Sequence, residues 1–178
     1  MNSISLEPQK MDFNLYANFA INLMETYEGN MLKNENCLPS LPQNQKKRRS
    51  PKTTSSAKWR TIGTTTKYFR SKWEYNYACF LEYQKKNGFI EDWKHEPQTF
   101  WFEGIKRGTV SYLPDFKVTL SNDSHYWVEV KGFYDRKSLT KIKRFHKYFP
   151  EERLQLVDAT WFAHANKVFA SIIPGWEK

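Results

Sequence analysis

Between Ser111 and Phe133 the chain reads SYLPDFKVTLSNDSHYWVEVKGF, two alternating stretches around a polar turn. A period of two marks strands with distinct faces, and the short turn between them makes the pair antiparallel. Val110, Tyr112, Phe116, Val118 and Leu120 share one face of the first strand, with Asp115, Lys117 and Thr119 opposite. On the second strand Tyr126, Val128 and Val130 form the apolar side, and Trp127, Glu129 and Lys131 the other. With Ser121-Asn122-Asp123 as the turn, Leu120 faces Ser124, Phe116 faces Val128 and Asp115 faces Glu129. Pro114 cannot donate to a ladder and marks an edge, a bulge or a break just before Asp115.

That register sets acid beside acid. Two adjacent carboxylates repel and destabilise a sheet unless a divalent cation removes the cost. Oxygen ligands favour Mg²⁺ or Mn²⁺ over zinc. Lys131 lies two residues beyond Glu129, about 6.6 Å along a strand. That is close enough to act on a water molecule or on charge developing on a phosphate. A Glu-x-Lys spacing also occurs on ordinary solvated strands. The acid on the neighbouring strand and the apolar run VEVKGF argue for a site instead.

The segment SKWEYNYACFLEYQKKN, residues 71–87, has helical spacing, with Trp73, Tyr77, Phe80, Leu81 and Gln84 on one stripe and Gly88 as its stop. Glu74 borders that stripe, where a carboxylate needs a partner or a metal. Ser71 to Glu74 also fits a capping box, and the two roles are compatible. Strands are expected in PQTFWFEG, at 109–120 and at 125–131. A basic helix with Leu139, Ile142, Phe145 and Phe149 on its inner side follows, with Ser138 as a candidate N-cap, and then a fourth strand over Arg153 to Asp158. A further strand is expected around Lys167 to Ile173.

Ahead of this lies a different region. Residues 12–27 carry a helical stripe, so 1–29 reads as an N-terminal helical extension. Residues 30–57 hold three prolines and no periodicity, and read as a flexible basic linker. Its run Lys46-Lys47-Arg48-Arg49 suits a solvated segment, a phosphate-binding arm or a nuclear import signal. Net charge is +9; residues 1–45 carry −3, so the remainder carries +12, which favours a polyanionic partner such as nucleic acid. Cys37 and Cys79 have no zinc-site spacing and read as free thiols. No apolar run approaches the ~20 residues of a membrane span, and no secretory signal opens the chain, so a cytoplasmic location is expected.

Asp115, Glu129 and Lys131, written PD…EVK, resemble the signature of the PD-(D/E)XK nuclease superfamily. The order of elements from about 67 to 158 is similar to its αβββαβ core. YFRSKWE, LPDF and VEVKG look closest to the phage junction-resolving endonucleases, with TnsA-type endonucleases sharing the plan; their QP-like segment is inverted here as HEPQTF. The resemblance implies a restriction-endonuclease-like α/β fold over residues 58–178, with a central mixed sheet flanked by helices. It implies a metal-dependent endonuclease that hydrolyses DNA phosphodiesters and leaves a 5′-phosphate. Asp115, Glu129 and the carbonyl of Val130 would hold Mg²⁺, Glu74 would contact it directly or through water, and Lys131 would orient or activate the attacking water. Lys137, Lys141, Lys143, Arg144 and Lys147 on the basic helix, with Arg70, would hold the DNA backbone. Gln98 is a site-edge or plain strand residue. Of His95, His125 and His146, only His125 shares the Glu129 face. Junction resolvases of this type form intertwined dimers through a bridging strand, which is not identifiable in this sequence; a homodimer, or a protein partner docked through the N-terminal helix, is the implied assembly. The alternatives are a nuclease subunit of a transposition or restriction complex, an RNA nuclease, and a noncatalytic nucleic-acid-binding protein of the same fold.

Overall fold

A computed structural model describes residues 57–177. The expected N-terminal helix, Cys37, nearly all of the linker and its basic run lie outside the described residues. The fold is α/β, with a mixed central sheet and three helices. A hairpin of β1 (Lys58–Ile62) and β2 (Thr65–Phe69) leads into α1 (Lys72–Lys86). The central sheet has the order β3-β6-β7-β8, from β3 (Asp92–His95), β6 (Phe116–Thr119), β7 (His125–Val130) and β8 (Leu154–Val157). A short ribbon of β4 (Phe100–Trp101) and β5 (Ser111–Tyr112) stands apart from it. Helix α2 (Arg136–Tyr148) joins β7 to β8, which run parallel and therefore need a crossover. Helix α3 (Ala159–Phe169) follows β8.

The sheet register is the one the alternation dictates. Phe116 pairs with Val128, and Leu120 N–H donates to the Ser124 carbonyl across the turn. Helices α1 and α3 cover the face of Phe116: Tyr77 packs on both Phe116 and Trp161, and Phe80 on Trp161 and Phe169. The opposite face is covered by α2 and the ribbon, where the Phe100 ring meets Trp127, Phe145 and Phe149. With both faces covered, Trp127, Val128, Glu129 and Val130 are all buried. The core is unusually aromatic, and aromatic side chains bury large areas in preferred tilted and edge-to-face pairs.

Four local expectations are corrected. PQTFWFEG supplies only the two-residue β4, and the strand beside β6 is β3, in a polar stretch. The stretch 109–120 is broken into β5 and β6 around Pro114. Asp135, not Ser138, caps α2, accepting the Ser138 N–H at 2.7 Å. Residues 167–169 end a helix and 170–175 are turns, where a strand was expected: Asp158 accepts from Thr160 N and Trp161 N and starts α3, whose inner residues Trp161, Phe162, Ala165 and Phe169 follow helical spacing. Among the described residues, no helix is long and apolar enough to cross a membrane.

The chain's last described turn is clasped to the first hairpin. The Glu177 carboxylate takes two bonds from the buried Arg60 guanidinium, at 2.9 and 2.7 Å, and lies 3.3 Å from Lys58 Nζ. Asn76 accepts from Glu177 N–H and donates to its carbonyl. The bonds from Arg60 hold the Glu177 carboxyl down at about 2. A depressed carboxylate stabilises the fold above its ordinary pKa, and the contribution is lost as pH falls toward 2. Glu177→Gln should cost about 1–3 kcal/mol near pH 7, because Arg60 is left buried and poorly paired. In urea titrations from pH 7 to 3, the gap between wild type and variant should narrow toward the acid end.

Candidate active site

Pro114 shapes the site. In β7, the backbone groups of Tyr126 and Val128 face β6, while Trp127 and Lys131 donate to carbonyls of the β8 side. Val130 therefore also faces the β6 side, but the paired register ends at Phe116 and Val128, two residues short of Pro114 and Val130. The Asp115 carboxylate instead takes the Val130 N–H, with Oδ2 accepting it at 2.7 Å. Pro114 has no N–H to offer the Val130 carbonyl.

Glu129 sits one residue back on the covered face. Its Oε2 accepts from the Tyr112 hydroxyl at 2.9 Å, and its Oε1 is 4.0 Å from Lys131 Nζ. Both acids are buried. Burial pushes the Asp115 carboxyl well up and the nearby Glu129 charge adds to it, while the Val130 N–H pulls the other way. Burial likewise raises Glu129, opposed by the Tyr112 hydroxyl and by the charges of Lys131 and Lys141. The ammonium of Lys131, 40% exposed, reaches solvent beside a carboxylate that is only 10% exposed.

Glu74 performs the capping role. Its N–H donates to Ser71 Oγ at 3.1 Å, and its carboxylate accepts from Ser71 Oγ and, at 2.9 Å, from Arg70 N–H. It is buried nonetheless, desolvation raises its pKa, and its charge acts on both Asp115 and Glu129. A cleft of about 570 Å³ lies at this end of the sheet, lined by Ser71, Lys72, Trp73, Glu74, Val130, Lys131 and Gly132, with Asp115 and Glu129 behind its lining. Gly132 is required there: a Cβ at this position would stand 2.9 Å from the Trp73 ring, which is stacked on Phe162. Two carboxylates, each keeping one oxygen clear of the bond that positions it, plus a backbone carbonyl suit a hard divalent cation. Among the described residues, no group of three or more His, Cys, Asp or Glu side chains is gathered around one point.

The basic residues divide. Lys137, Lys143 and Lys147 are exposed on α2. Lys141 turns inward, its ammonium 5.9 Å from the centre of the Tyr112 ring and its charge felt by Glu129. Arg144 is half-buried, and its guanidinium donates to the Thr109 carbonyl, which ties it to the body of the protein. Arg70 is exposed but ion-paired with Glu96 at 2.5 Å. His125 lies at the far end of β7, bonded to Glu152 together with Trp127 Nε1, and so belongs to a structural cluster. His95 is wedged between Phe69 and Phe116, with burial pushing it down to about 4; His146 is exposed on α2. Gln98 is an exposed loop residue.

Two residues at the site were not singled out from the sequence. Glu96 bonds Arg70 and donates its N–H to the Asp115 carbonyl, holding a left-handed φ of 47° to do so. Alternation places Tyr112 on the Phe116 face, yet its ring packs on Phe145 and its hydroxyl donates to Glu129. The irregular Leu113-Pro114-Asp115 step breaks that alternation. Tyr112→Phe should weaken divalent-cation affinity by about 10–100-fold, as loss of an outer partner of a ligand does. It should also move the acid limb of any cation titration upward, because the hydroxyl lowers the Glu129 pKa. Calorimetry with Mn²⁺ from pH 6 to 8 reads both effects.

The chain matches no protein-family model, no curated protein and no solved structure.

Proposed function

We propose that this chain is a metal-dependent endonuclease that hydrolyses phosphodiester bonds in DNA, with a restriction-endonuclease-like core of the PD-(D/E)XK type. One observation carries the reading. Two buried acids, each raised in pKa, are fixed side by side where a sheet ladder stops, with a lysine ammonium at the rim of an open cleft. A purely structural pair would be better replaced by apolar residues, since uncompensated buried charge costs stability. A bound cation would repay that cost.

Asp115, Glu129 and the Val130 carbonyl would hold Mg²⁺, or Mn²⁺ in its place, with Glu74 acting from beside them. When bound, the ion supplies charge neutralisation at the phosphate oxygens and lowers the pKa of water. Lys131 supports this chemistry by placing a positive charge where a nucleophilic water and a phosphate oxygen converge. Tyr112 fixes the rotamer of Glu129, and the Val130 N–H fixes that of Asp115. Lys137, Lys143 and Lys147 supply sequence-independent attraction for the DNA backbone, which makes affinity fall with added salt.

The test is cleavage of labelled four-way junction, nicked, single-stranded and plain duplex DNA with Mg²⁺, Mn²⁺ or EDTA. Cutting in both metals and none in EDTA is expected, and the ranking of substrates chooses between a junction resolvase and a general endonuclease. Binding to all four without cutting in any metal would remove catalysis from the isolated chain.

A further inference from the structure

The β1–β2 hairpin carries a feature the catalytic reading does not use. Trp59 pairs with Tyr68 across the ribbon, and the two rings meet edge to face, 5.7 Å between centres. Trp59 is 68% exposed and Tyr68 46% exposed, while their neighbours Arg60 and Phe69 on the opposite face are buried against the body of the protein. Further along the outer face, Thr61 and Thr66 share a hydroxyl hydrogen bond of 2.9 Å. The ribbon is thus anchored from behind, through Arg60 on Glu177 and Phe69 against His95, and presents two rings outward.

These rings expose roughly 250 Å² together, given about 150–250 Å² for each side chain. A stable protein partner needs about 800 Å² on each side, so the pair is too small to be the whole of such a contact. It does fit the faces of one or two unpaired bases, and stacking on exposed rings is the usual means of holding them. The chain from Lys58 to Lys72 holds no acid, but Lys58 is paired with Glu177, Arg70 with Glu96, and Lys67 lies over the Trp93 ring on the other side of the ribbon, so charge is not what marks the rings. Their position does agree with a strand path. Tyr68 is three residues ahead of Ser71, the first residue of the cleft lining, a separation of at most about 11 Å of chain. That is about three nucleotide steps at ~3.4 Å each.

We propose that Trp59 and Tyr68 form a stacking platform for unpaired bases of a DNA strand whose backbone enters the cleft. The inference rests on the nuclease reading for its substrate, but the platform itself needs neither metal nor cleavage. The test therefore uses the full chain in EDTA, with splayed DNA carrying 2-aminopurine at the first unpaired positions and a fully paired duplex of the same sequence. Wild type should quench the 2-aminopurine and prefer the splayed DNA. Trp59→Ala/Tyr68→Ala should lose about tenfold or more in affinity for splayed DNA and the quenching with it, leaving duplex affinity unchanged. Trp59→Phe/Tyr68→Phe, which keeps both rings, should retain most of both; this also separates stacking from any folding defect. Equal losses on both DNAs, or no loss on either, overturn the platform. So does a shift of sedimentation coefficient in the alanine variant with DNA binding intact, which would make the rings a contact between copies of the chain. Platform binding without metal-dependent cutting would drop the nuclease reading alone; cutting that ignores both substitutions on every substrate would drop the platform alone.

Discussion

Asp115→Asn should abolish metal-dependent cleavage, by about 10³-fold or more, and at the same time make the metal-free protein more stable. The two effects share a cause. Asparagine still offers a side-chain oxygen to the Val130 N–H, so that hydrogen bond survives. What disappears is a buried negative charge beside Glu129. The pH dependence gives the sign. A carboxyl raised in the folded state binds its proton more tightly there than in the unfolded chain, so the folded state holds more protons between the two pKa values. Stability is therefore full below the ordinary range near 4 and falls as pH rises through the raised folded values. Wild type in EDTA should lose stability along this limb, Asp115→Asn should lose less, and Mg²⁺ should restore the wild type while leaving the variant unmoved. Thermal melts at pH 5 and pH 8, with and without Mg²⁺, read all three comparisons. A variant less stable than wild type at pH 8 in EDTA would show that the acids are held together by something other than a missing cation.

Lys131→Ala should lower cleavage by about 10²–10³-fold, the scale of losing one preorganised electrostatic group. Its stability signature is opposite to that of Asp115→Asn. Lys131 is half out in solvent and supports no packing, but its charge lowers the pKa of both acids. Without it the carboxylates repel with less compensation, so the metal-free protein should be slightly less stable at pH 8, and protons should compete with the cation at higher pH. Binding of uncleavable DNA in EDTA should barely change, because Lys137, Lys143 and Lys147 keep the long-range attraction. Single-turnover cleavage and anisotropy on the same preparation separate the two effects. Comparable losses in cleavage and in metal-free binding would make Lys131 a plain phosphate contact.

Much of the centre of this protein is legible in its sequence, because one residue pair carries so much. Once Phe116 and Val128 are set opposite by their shared apolar face, the positions of Asp115, Glu129 and Lys131 follow from a period of two. The errors fall where that period fails. Across Pro114 the pleat is interrupted, so counting by twos placed Tyr112 on the wrong side and hid the residue that holds Glu129. Strand β3, in EDWKHEP, has no apolar alternation of its own; it is a strand because β6 offers it an edge, which is a tertiary cause. Helix α3 is missed although its signals are present: Asp158 as a cap, then Trp161, Phe162, Ala165 and Phe169 at helical spacing, while the apolar run after it reads as a strand. Arg144 and Lys147 look alike in the sequence, and only the Thr109 carbonyl ties the first of them to the body of the protein.

The interrupted ladder has a consequence for how the site can change by mutation. Pro114 acts on two groups at once: it has no N–H to offer the Val130 carbonyl, and it interrupts the alternation between Tyr112 and Phe116, so that the Tyr112 hydroxyl meets Glu129. Almost any other residue there would bring an N–H, and the neighbouring strands could then close by one more pair, as sheets ordinarily do. That extra pair would compete with the Asp115 carboxylate for the Val130 N–H. Under the proposed function, position 114 thereby governs the site without taking part in its chemistry.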